Sequence, residues 1–219
     1  MTISQVMHDV APHLRTVAVL SGPTFAKEVS GGLPTAAVAA SEEAAAALRV
    51  QDLLSTPTFR VYAGSDPLGV ELGGAIKNVI AIAAGIVDGL GLGHNAVAAL
   101  ITRGLREMTR LGVAMGARAE TFAGLAGLGD LVLTCTGDLS RNRQLGLALG
   151  KGAALAELLQ RSPTVKEGVN ASKAAVELAQ RFSVDMPICQ ESYAVFFEHR
   201  SPREAVVSLL SRALKSEEA

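Results

Sequence analysis

The pattern of hydrophobic and polar residues changes about a third of the way along the chain. In the first 65 residues, short apolar runs bounded by Gly, Pro and Ser predict buried strands separated by turns. Strands are predicted at 16–20, 34–40 and 59–63, with a helix at 42–54 that starts after an N-cap at Ser41. This strand–helix–strand order is typical of an α/β sheet. Because so small a sheet has exposed edges, we expect it to be the end of a larger sheet.

From Asp66 onward, apolar residues recur at helical spacing, and no convincing strand is predicted. The second long helix is expected to begin at an Asn95 cap and to keep Arg103, Arg106, Glu107 and Arg110 off its apolar stripe. Ser201 and Glu204 form a capping box that starts the last helix. Shorter helices are predicted at 142–149, 153–159, 171–181, 188–199 and 202–214. We therefore divide the chain into residues 1–65, a small α/β region, and residues 66–219, a helical region.

Lys77 stands alone among small and apolar residues in the first long helix. Its neighbours three and four positions away are Gly73, Gly74, Ile80 and Ala81, and none is acidic. The small residues leave room for a ligand or another backbone, and burial of an unpaired ammonium lowers its pKa. Lys77 is therefore a candidate proton donor or base. The alternative is a lysine at the rim of the apolar face whose ammonium reaches water.

Composition excludes several classes of partner. The chain has 219 residues, 49% of them hydrophobic and 19% charged, with a net charge of −1, no Trp, two Tyr and six Phe. We expect neither nucleic acid nor a membrane surface as a partner, because no block of basic residues and few aromatic platforms are present. Cys135 and Cys189 indicate buried thiols in a reducing compartment. The N-terminus does not have the pattern of a secretory signal, so a cytoplasmic location is expected.

A second candidate site lies between Gly124 and Arg143. Asp130 ends a glycine-rich apolar stretch and could simply be a helix cap. Ser140 is expected to cap the next helix, which places Arg141 and Arg143 in its first turn, where positive charge opposes the helix dipole. An anion at this N-terminus would remove the conflict, and we favour it over two solvated arginines. His8, His13 and His199 lack metal-ligand spacing, and His94 is expected in a loop, so no metal is predicted.

These segments carry a family resemblance. The motifs occur in the order SGPTFAKE at 21–28, ELGGAIKN at 71–78, TRGL at 102–105, GLAGLGD at 124–130 and SRNR at 140–143. Together they resemble the bacterial NAD(P)-dependent glycerol-3-phosphate dehydrogenases over nearly the whole chain. The resemblance implies a homodimer that interconverts dihydroxyacetone phosphate and sn-glycerol 3-phosphate with NAD or NADP, feeding phospholipid synthesis. It also implies a mainly α fold, with an all-helical substrate domain preceded by an α/β remnant of a Rossmann-type sheet.

The resemblance also implies roles for individual residues. Lys77 would be the proton donor or acceptor at the substrate's C2 oxygen. The other residues implied to contact the phosphorylated substrate are Asn78, Asp130, Thr134, Ser140, Arg141 and Asn142. Those implied to contact the cofactor are Gly22, Thr24, Ala26, Arg141, Val165 and Glu167.

The chain departs from the family pattern at its start, where no G-x-G-x-x-G motif follows a strand. We expect the chain to be a fragment of a longer protein or to have lost the cofactor half, and to turn over little substrate alone. Three functions remain open. They are the dehydrogenase, a non-catalytic phosphate-metabolite binding or dimerisation module, and a related dehydrogenase acting on another substrate.

Overall fold

A computed structural model describes residues 2–14, 16–161, 166–214 and 216–217. The first part contains one sheet with the strand order β1-β2-β3. Its strands are β1 (Val19–Ser21), β2 (Thr35–Ala40) and β3 (Phe59–Gly64). β1 pairs antiparallel with β2, and β2 pairs parallel with β3. The three predicted strands are confirmed, each to within a few residues.

Three helices accompany the sheet: α1 (Ile3–Val10), α2 (Ala26–Ser30) and α3 (Ala44–Leu54). The hydrophobic pattern predicted only α3. Ser41 is not its N-cap: the helix begins after Glu43, and no side chain caps it. Ser41 is instead buried at the end of β2, and its hydroxyl donates to the Val17 carbonyl at 2.8 Å. The hydroxyl therefore ties the sheet to the segment that leads into β1.

The described residues after Asp66 form helices and no strand, as predicted. They are α4 (Pro67–Gly89), α5 (Gly93–Ala114), α6 (Ala119–Ala123), a π-helical turn (Leu125–Gly129), α7 (Asp130–Thr136), α8 (Arg141–Gly150), α9 (Leu155–Arg161), α10 (Lys166–Arg181), α11 (Pro187–Phe197) and α12 (Pro202–Leu210). α5 begins at Gly93, so the predicted cap at Asn95 is wrong. The capping box of α12 is confirmed. The fold is mainly α with a small α/β sheet, as expected.

α4 is the central helix of the protein. Its length and composition would suit a membrane span, yet 72% of its most apolar stretch is buried inside the protein, as is typical of a core helix. Its apolar residues pack against α5, α7, α10 and α11, together with the buried thiols of Cys135 and Cys189. The burial of both cysteines agrees with the sequence prediction.

α4 and α8 pack backbone against backbone. Glycines recur at four-residue spacing on both helices, at 85 and 89 on α4 and at 146 and 150 on α8. A Cβ atom at Gly85 would overlap the Arg143 carbonyl oxygen, and one at Gly146 would overlap the Ile82 carbonyl oxygen. Only glycine allows so close an approach at these positions. The contact fixes the start of α8 beside the middle of α4.

Glu107 on α5 is buried, although the sequence pattern placed it off the apolar stripe. Its side chain is only 1% exposed because α11 covers it. The carboxylate accepts hydrogen bonds from the backbone amides of Ile188, at 2.7 Å, and Cys189, at 3.2 Å. Met186, the N-cap of α11, supplies no side-chain bond, so Glu107 caps that helix from a neighbouring one. Burial raises the pKa of Glu107 from 4.5 to about 7.

The raised pKa of Glu107 should make the stability of the protein depend on pH. Between pH 4.5 and about 7 the folded protein keeps a proton on Glu107 that the unfolded chain has lost, so stability falls as pH rises through this window. The total loss from this group is as much as about 3 kcal/mol. We expect urea denaturation to show a larger fall in wild type than in Glu107→Gln. A fall of equal size in both would contradict the assignment, and the exposed Glu177→Gln is the matched control.

Candidate functional site

Lys77 and Asp130 form an ion pair between α4 and the start of α7. The Lys77 ammonium donates a hydrogen bond to Oδ2 of Asp130. The lysine side chain is 19% exposed and the aspartate side chain 4% exposed. The pair therefore lies just below the protein surface, and of its two side chains the lysine is the one that reaches solvent. The acidic partner that the neighbouring sequence lacks is thus supplied by another helix.

Asp130 is held by several further groups. Thr134, one turn along α7, donates its hydroxyl to the Asp130 carbonyl at 2.6 Å and lies 3.2 Å from Oδ1. The backbone amide of Gly22 also bonds to the carboxylate. Burial raises the pKa of Asp130 above its usual value, while the Lys77 charge and these hydrogen bonds oppose the rise. The Asp130 carboxylate therefore accepts a hydrogen bond from Lys77 at a position that is almost inaccessible to water.

The π-helical turn places Asp130 opposite Lys77. Its backbone lies directly on α4, where a Cβ atom at Gly73 would come within 2.5 Å of the Ala126 carbonyl oxygen. Gly127 passes equally close to the backbone of Phe122. Asp130 is the residue at which the π-helical turn ends and α7 begins, and its side chain makes no cap bond to α7 but accepts the hydrogen bond from Lys77. Short π-helical segments often occur at functional sites.

Asn78 and Asn142 join α4 to α8 next to this ion pair. Asn78 Nδ2 donates to the Gly74 carbonyl at 3.3 Å, and Asn142 Nδ2 donates to Asn78 Oδ1 at 2.9 Å. The first bond fixes the orientation of the Asn78 amide, and the second then fixes that of Asn142. Asn142 Oδ1 is left buried without a hydrogen-bond partner among the described residues. A ligand hydroxyl or N–H group would satisfy this acceptor.

The start of α8 separates the two arginines that the sequence placed together. Ser140 is the N-cap, as predicted, and its hydroxyl accepts the Arg143 amide at 3.2 Å. Arg141 is exposed, and no described residue pairs with it. Arg143 instead donates to Asp88 Oδ2 at 2.7 Å and to Asp138 Oδ1 at 2.9 Å. Of these two arginines, Arg141 is the one without a partner among the described residues, and the expectation that both face an anion is wrong for Arg143.

The loop after β1 reaches the same site from the sheet. Gly22 has φ +144°, and a Cβ atom there would lie 3.0 Å from Ala37 Cα, so the position requires glycine. Its neighbour Pro23 lies beside Gly129, close to Asp130. Thr24 turns its hydroxyl back onto the Gly22 carbonyl at 3.1 Å, and Ala26 starts α2. Gly22 thus contacts the Lys77–Asp130 pair through its hydrogen bond to Asp130, whereas Thr24 and Ala26 lie further along the loop.

The first turn of α10 borders Asn142. A Cβ atom at Gly168 would lie 2.5 Å from Asn142 Oδ1, and Glu167 is exposed next to it. Val165, also predicted to contact the cofactor, lies outside the described residues. Among the described residues no three His, Cys, Asp or Glu side chains come together as a metal site, and the absence of a metal stays a prediction.

The sequence matches two models of one protein family. The model described as "NAD-dependent glycerol-3-phosphate dehydrogenase C-terminus" matches residues 66–207, and the corresponding N-terminus model matches residues 1–47. The glycerol-3-phosphate dehydrogenase [NAD(P)+] of Geobacter sulfurreducens is 59% identical over 219 residues, covering 99% of this chain and 65% of the relative. The enzyme of the same name from Trichlorobacter lovleyi is 58% identical, over 100% of this chain and 66% of the relative.

Solved structures show the same relationship. The crystal structure of glycerol-3-phosphate dehydrogenase from Coxiella burnetii superimposes with a TM-score of 0.87 at 47% identity, covering 90% of this chain and 61% of that chain. The yeast glycerol-3-phosphate dehydrogenase gives a TM-score of 0.77 at 26% identity, covering 88% of this chain and 59% of that one. The chain thus spans about 65% of the length of its bacterial relatives. It belongs to the NAD-dependent glycerol-3-phosphate dehydrogenase family.

Proposed function

We propose that the protein interconverts dihydroxyacetone phosphate and sn-glycerol 3-phosphate with NAD or NADP. The observation that carries this proposal is the convergence of Lys77, Asp130, Asn78 and Asn142 from three helices, with Arg141 next to Asn142 in the first turn of α8. A reduced ketone needs a proton at its oxygen, and a phosphorylated substrate needs a positive group at its phosphate. The names of the relatives support this reaction.

Lys77 is the proposed acid and base. During reduction its ammonium would give a proton to the substrate's C2 oxygen, and during oxidation its neutral amine would take that proton back. Asp130 would orient the Lys77 side chain and stabilise its charged form, while Thr134 and the Gly22 amide hold the aspartate in turn. Both Lys77 and Asn78 lie on α4, so one rigid helix would position both.

The proposed substrate-binding groups lie at the start of α8. Arg141 would bind the phosphate, assisted by the N-terminal end of the helix after Ser140. The Asn78–Asn142 pair would bind the polar part of the substrate, because Asn142 Oδ1 has no donor among the described residues. Ser140 would donate its O–H to the phosphate, because the bond from the Arg143 amide uses only an acceptor lone pair of that hydroxyl.

The described residues fit one side of a nicotinamide cofactor. We base this on two observations: the Gly22 amide bonds to Asp130 from the sheet side, and Asn142 Oδ1 has no hydrogen-bond partner among the described residues. The proposed contacts are Gly22, Thr24, Ala26, Arg141 and Glu167, and Val165 is kept as a proposal from the sequence alone. When bound, NAD(P)H supplies the hydride. Because the glycine-rich phosphate motif is absent from this sequence, we expect weak cofactor binding and little turnover.

Further parts of the proposal follow from the resemblance. The protein is proposed to act as a cytoplasmic homodimer whose product enters glycerophospholipid synthesis. We propose residues 66–219 as the substrate-binding domain and residues 1–65 as part of the dinucleotide-binding domain. The break between them coincides with Asp66, which caps α4.

Replacing Arg141 should weaken the binding of a phosphorylated substrate. We expect calorimetric titration with glycerol 3-phosphate to show binding by wild type and affinity at least about tenfold weaker for Arg141→Ala, because a charge-assisted bond to the phosphate is lost. Arg203→Ala is the matched control, since Arg203 is also an exposed arginine in the first turn of a helix. Equal affinities of wild type and Arg141→Ala would contradict the proposed site.

A parallel titration with NADH separates the two leading functions. Binding of both ligands supports the dehydrogenase. Because the dehydrogenase proposal already expects weak NADH binding, only binding of glycerol 3-phosphate with no detectable binding of NADH would favour the non-catalytic binding module. A normal turnover rate would contradict the expected weak activity of this chain.

A further inference from the structure

Arg143 occupies the point where the first turn of α8 crosses α4. Its side chain is 16% exposed and bridges two carboxylates that lie on different parts of the fold. Asp88 is in the last turn of α4, with its side chain 38% exposed, whereas Asp138 is 91% exposed in the loop that enters α8. The Arg143 guanidinium therefore makes one contact close to it in sequence, with Asp138, and one with another helix, through Asp88 of α4.

The contact with Asp88 resolves two unfavourable charge placements at once. A carboxylate in the last turn of a helix and a guanidinium in the first turn of another both oppose the helix dipoles. Bringing Asp88 and Arg143 together offsets both, and the 2.7 Å distance is that of a charge-assisted hydrogen bond.

The packing of α4 on α8 does not by itself fix the polar side chains in the first turn of α8. Glycines at the crossing give close backbone approach, and Ile82 and Ile86 of α4 pack with Leu145 and Leu149 of α8, but the polar side chains in the first turn of α8 take no part in this apolar contact. Adjacent residues of α8 reach in opposite directions along α4. Asn142 bonds to Asn78 on one side, and Arg143 bonds to Asp88 three turns further on. Together the two contacts hold the first turn of α8 from both sides.

We propose that the Arg143–Asp88 ion pair is a positioning contact, which fixes the first turn of α8 so that Arg141 and Asn142 face the anionic ligand. Arg143 itself does not touch the ligand. The part of this inference that concerns binding rests on the proposed substrate site, while the part that concerns α8 stands on the described contacts alone.

The two carboxylates provide a matched pair of variants. Asp88→Asn and Asp138→Asn each remove one negative charge from the same guanidinium, but only the first breaks the link to α4. Through-space electrostatics predicts that both variants bind an anion more tightly, because each makes the region more positive. Positioning predicts the opposite sign for Asp88→Asn, so the direction of the change separates the two explanations.

The test is titration with glycerol 3-phosphate together with amide hydrogen exchange. We expect Asp88→Asn to bind about tenfold more weakly, with Asp138→Asn unchanged or tighter and Asp88→Glu partly restored. Exchange of the α8 amides should become at least about fivefold faster in Asp88→Asn alone. Unchanged exchange in Asp88→Asn, or affinity equal to or above that of wild type, would overturn the inference. If wild type does not bind, the proposed function fails while the exchange rates still decide whether Asp88 holds α8.

Discussion

Gly85→Ala is expected to destabilise the protein by at least about 3 kcal/mol, because the new methyl group would have to share space with a backbone atom of α8. The Arg143 carbonyl oxygen and the Leu147 amide lie directly over Gly85. Neither can move away without shifting the whole of α8, so the strain cannot be relieved by a side-chain rotation. Chemical denaturation at neutral pH gives the free energy of unfolding that checks this value.

Gly74→Ala is the control, since it makes the same change in the same helix. A Cβ atom at Gly74 meets only the Ser21 hydroxyl, at 3.3 Å, and that hydroxyl can rotate. The gain in helix propensity is about 1 kcal/mol for both variants, so the difference between them isolates the helix contact. Similar unfolding free energies for the two variants would show that α4 and α8 are not in backbone contact at Gly85.

Lys77→Met is expected to cost about 3 kcal/mol at pH 7.5, because it leaves a buried carboxylate without its cation. Asp130 would keep Thr134 and the Gly22 amide, but its pKa would rise further above the usual value of 3.8. A carboxyl whose pKa is raised on folding stabilises the protein below its unfolded pKa and loses that stability as pH rises through the folded value. The cost of Lys77→Met should therefore be small near pH 4 and grow toward neutral pH.

A second substitution distinguishes loss of the pair from loss of packing. In Lys77→Met/Asp130→Asn no charge remains to be buried, and we expect most of the lost stability to return. Asp130→Asn alone should cost less than Lys77→Met, because the Lys77 ammonium already reaches solvent. The exposed Lys173→Met is the control and should change stability by no more than about 0.5 kcal/mol. A pH-independent cost of Lys77→Met would contradict this account.

The sequence allowed the local features of the site to be predicted. Lys77 was singled out because its helical neighbours are small and uncharged, and the structure confirms the helix. Ser140 was predicted as an N-cap from its residue type and position, and it is one. Each of these inferences needs only the spacing of residues within one element, which the sequence contains directly.

Features that depend on tertiary contact were missed or misjudged. Asp130 could be interpreted as a cap because nothing in its own segment points to Lys77, which is 53 residues away. Glu107 was assigned to the polar face of α5 because helical periodicity does not show that α11 covers that face. Arg143 was grouped with Arg141 because its partner Asp88 lies on another helix. The π-helical turn gave no signal beyond its unusual density of glycines.

The glycine crossing of α4 and α8 has a consequence for protein engineering. Main-chain contacts at glycines limit how far apart the two helices that carry Lys77, Asn78 and Asn142 can lie, and an apolar cluster joins the same two helices. Exposed residues near the site could therefore be varied in combinatorial libraries while the contact between the two helices is kept. The four crossing glycines should be held constant in such libraries, while the exposed position 141 provides the natural starting point for changing ligand preference.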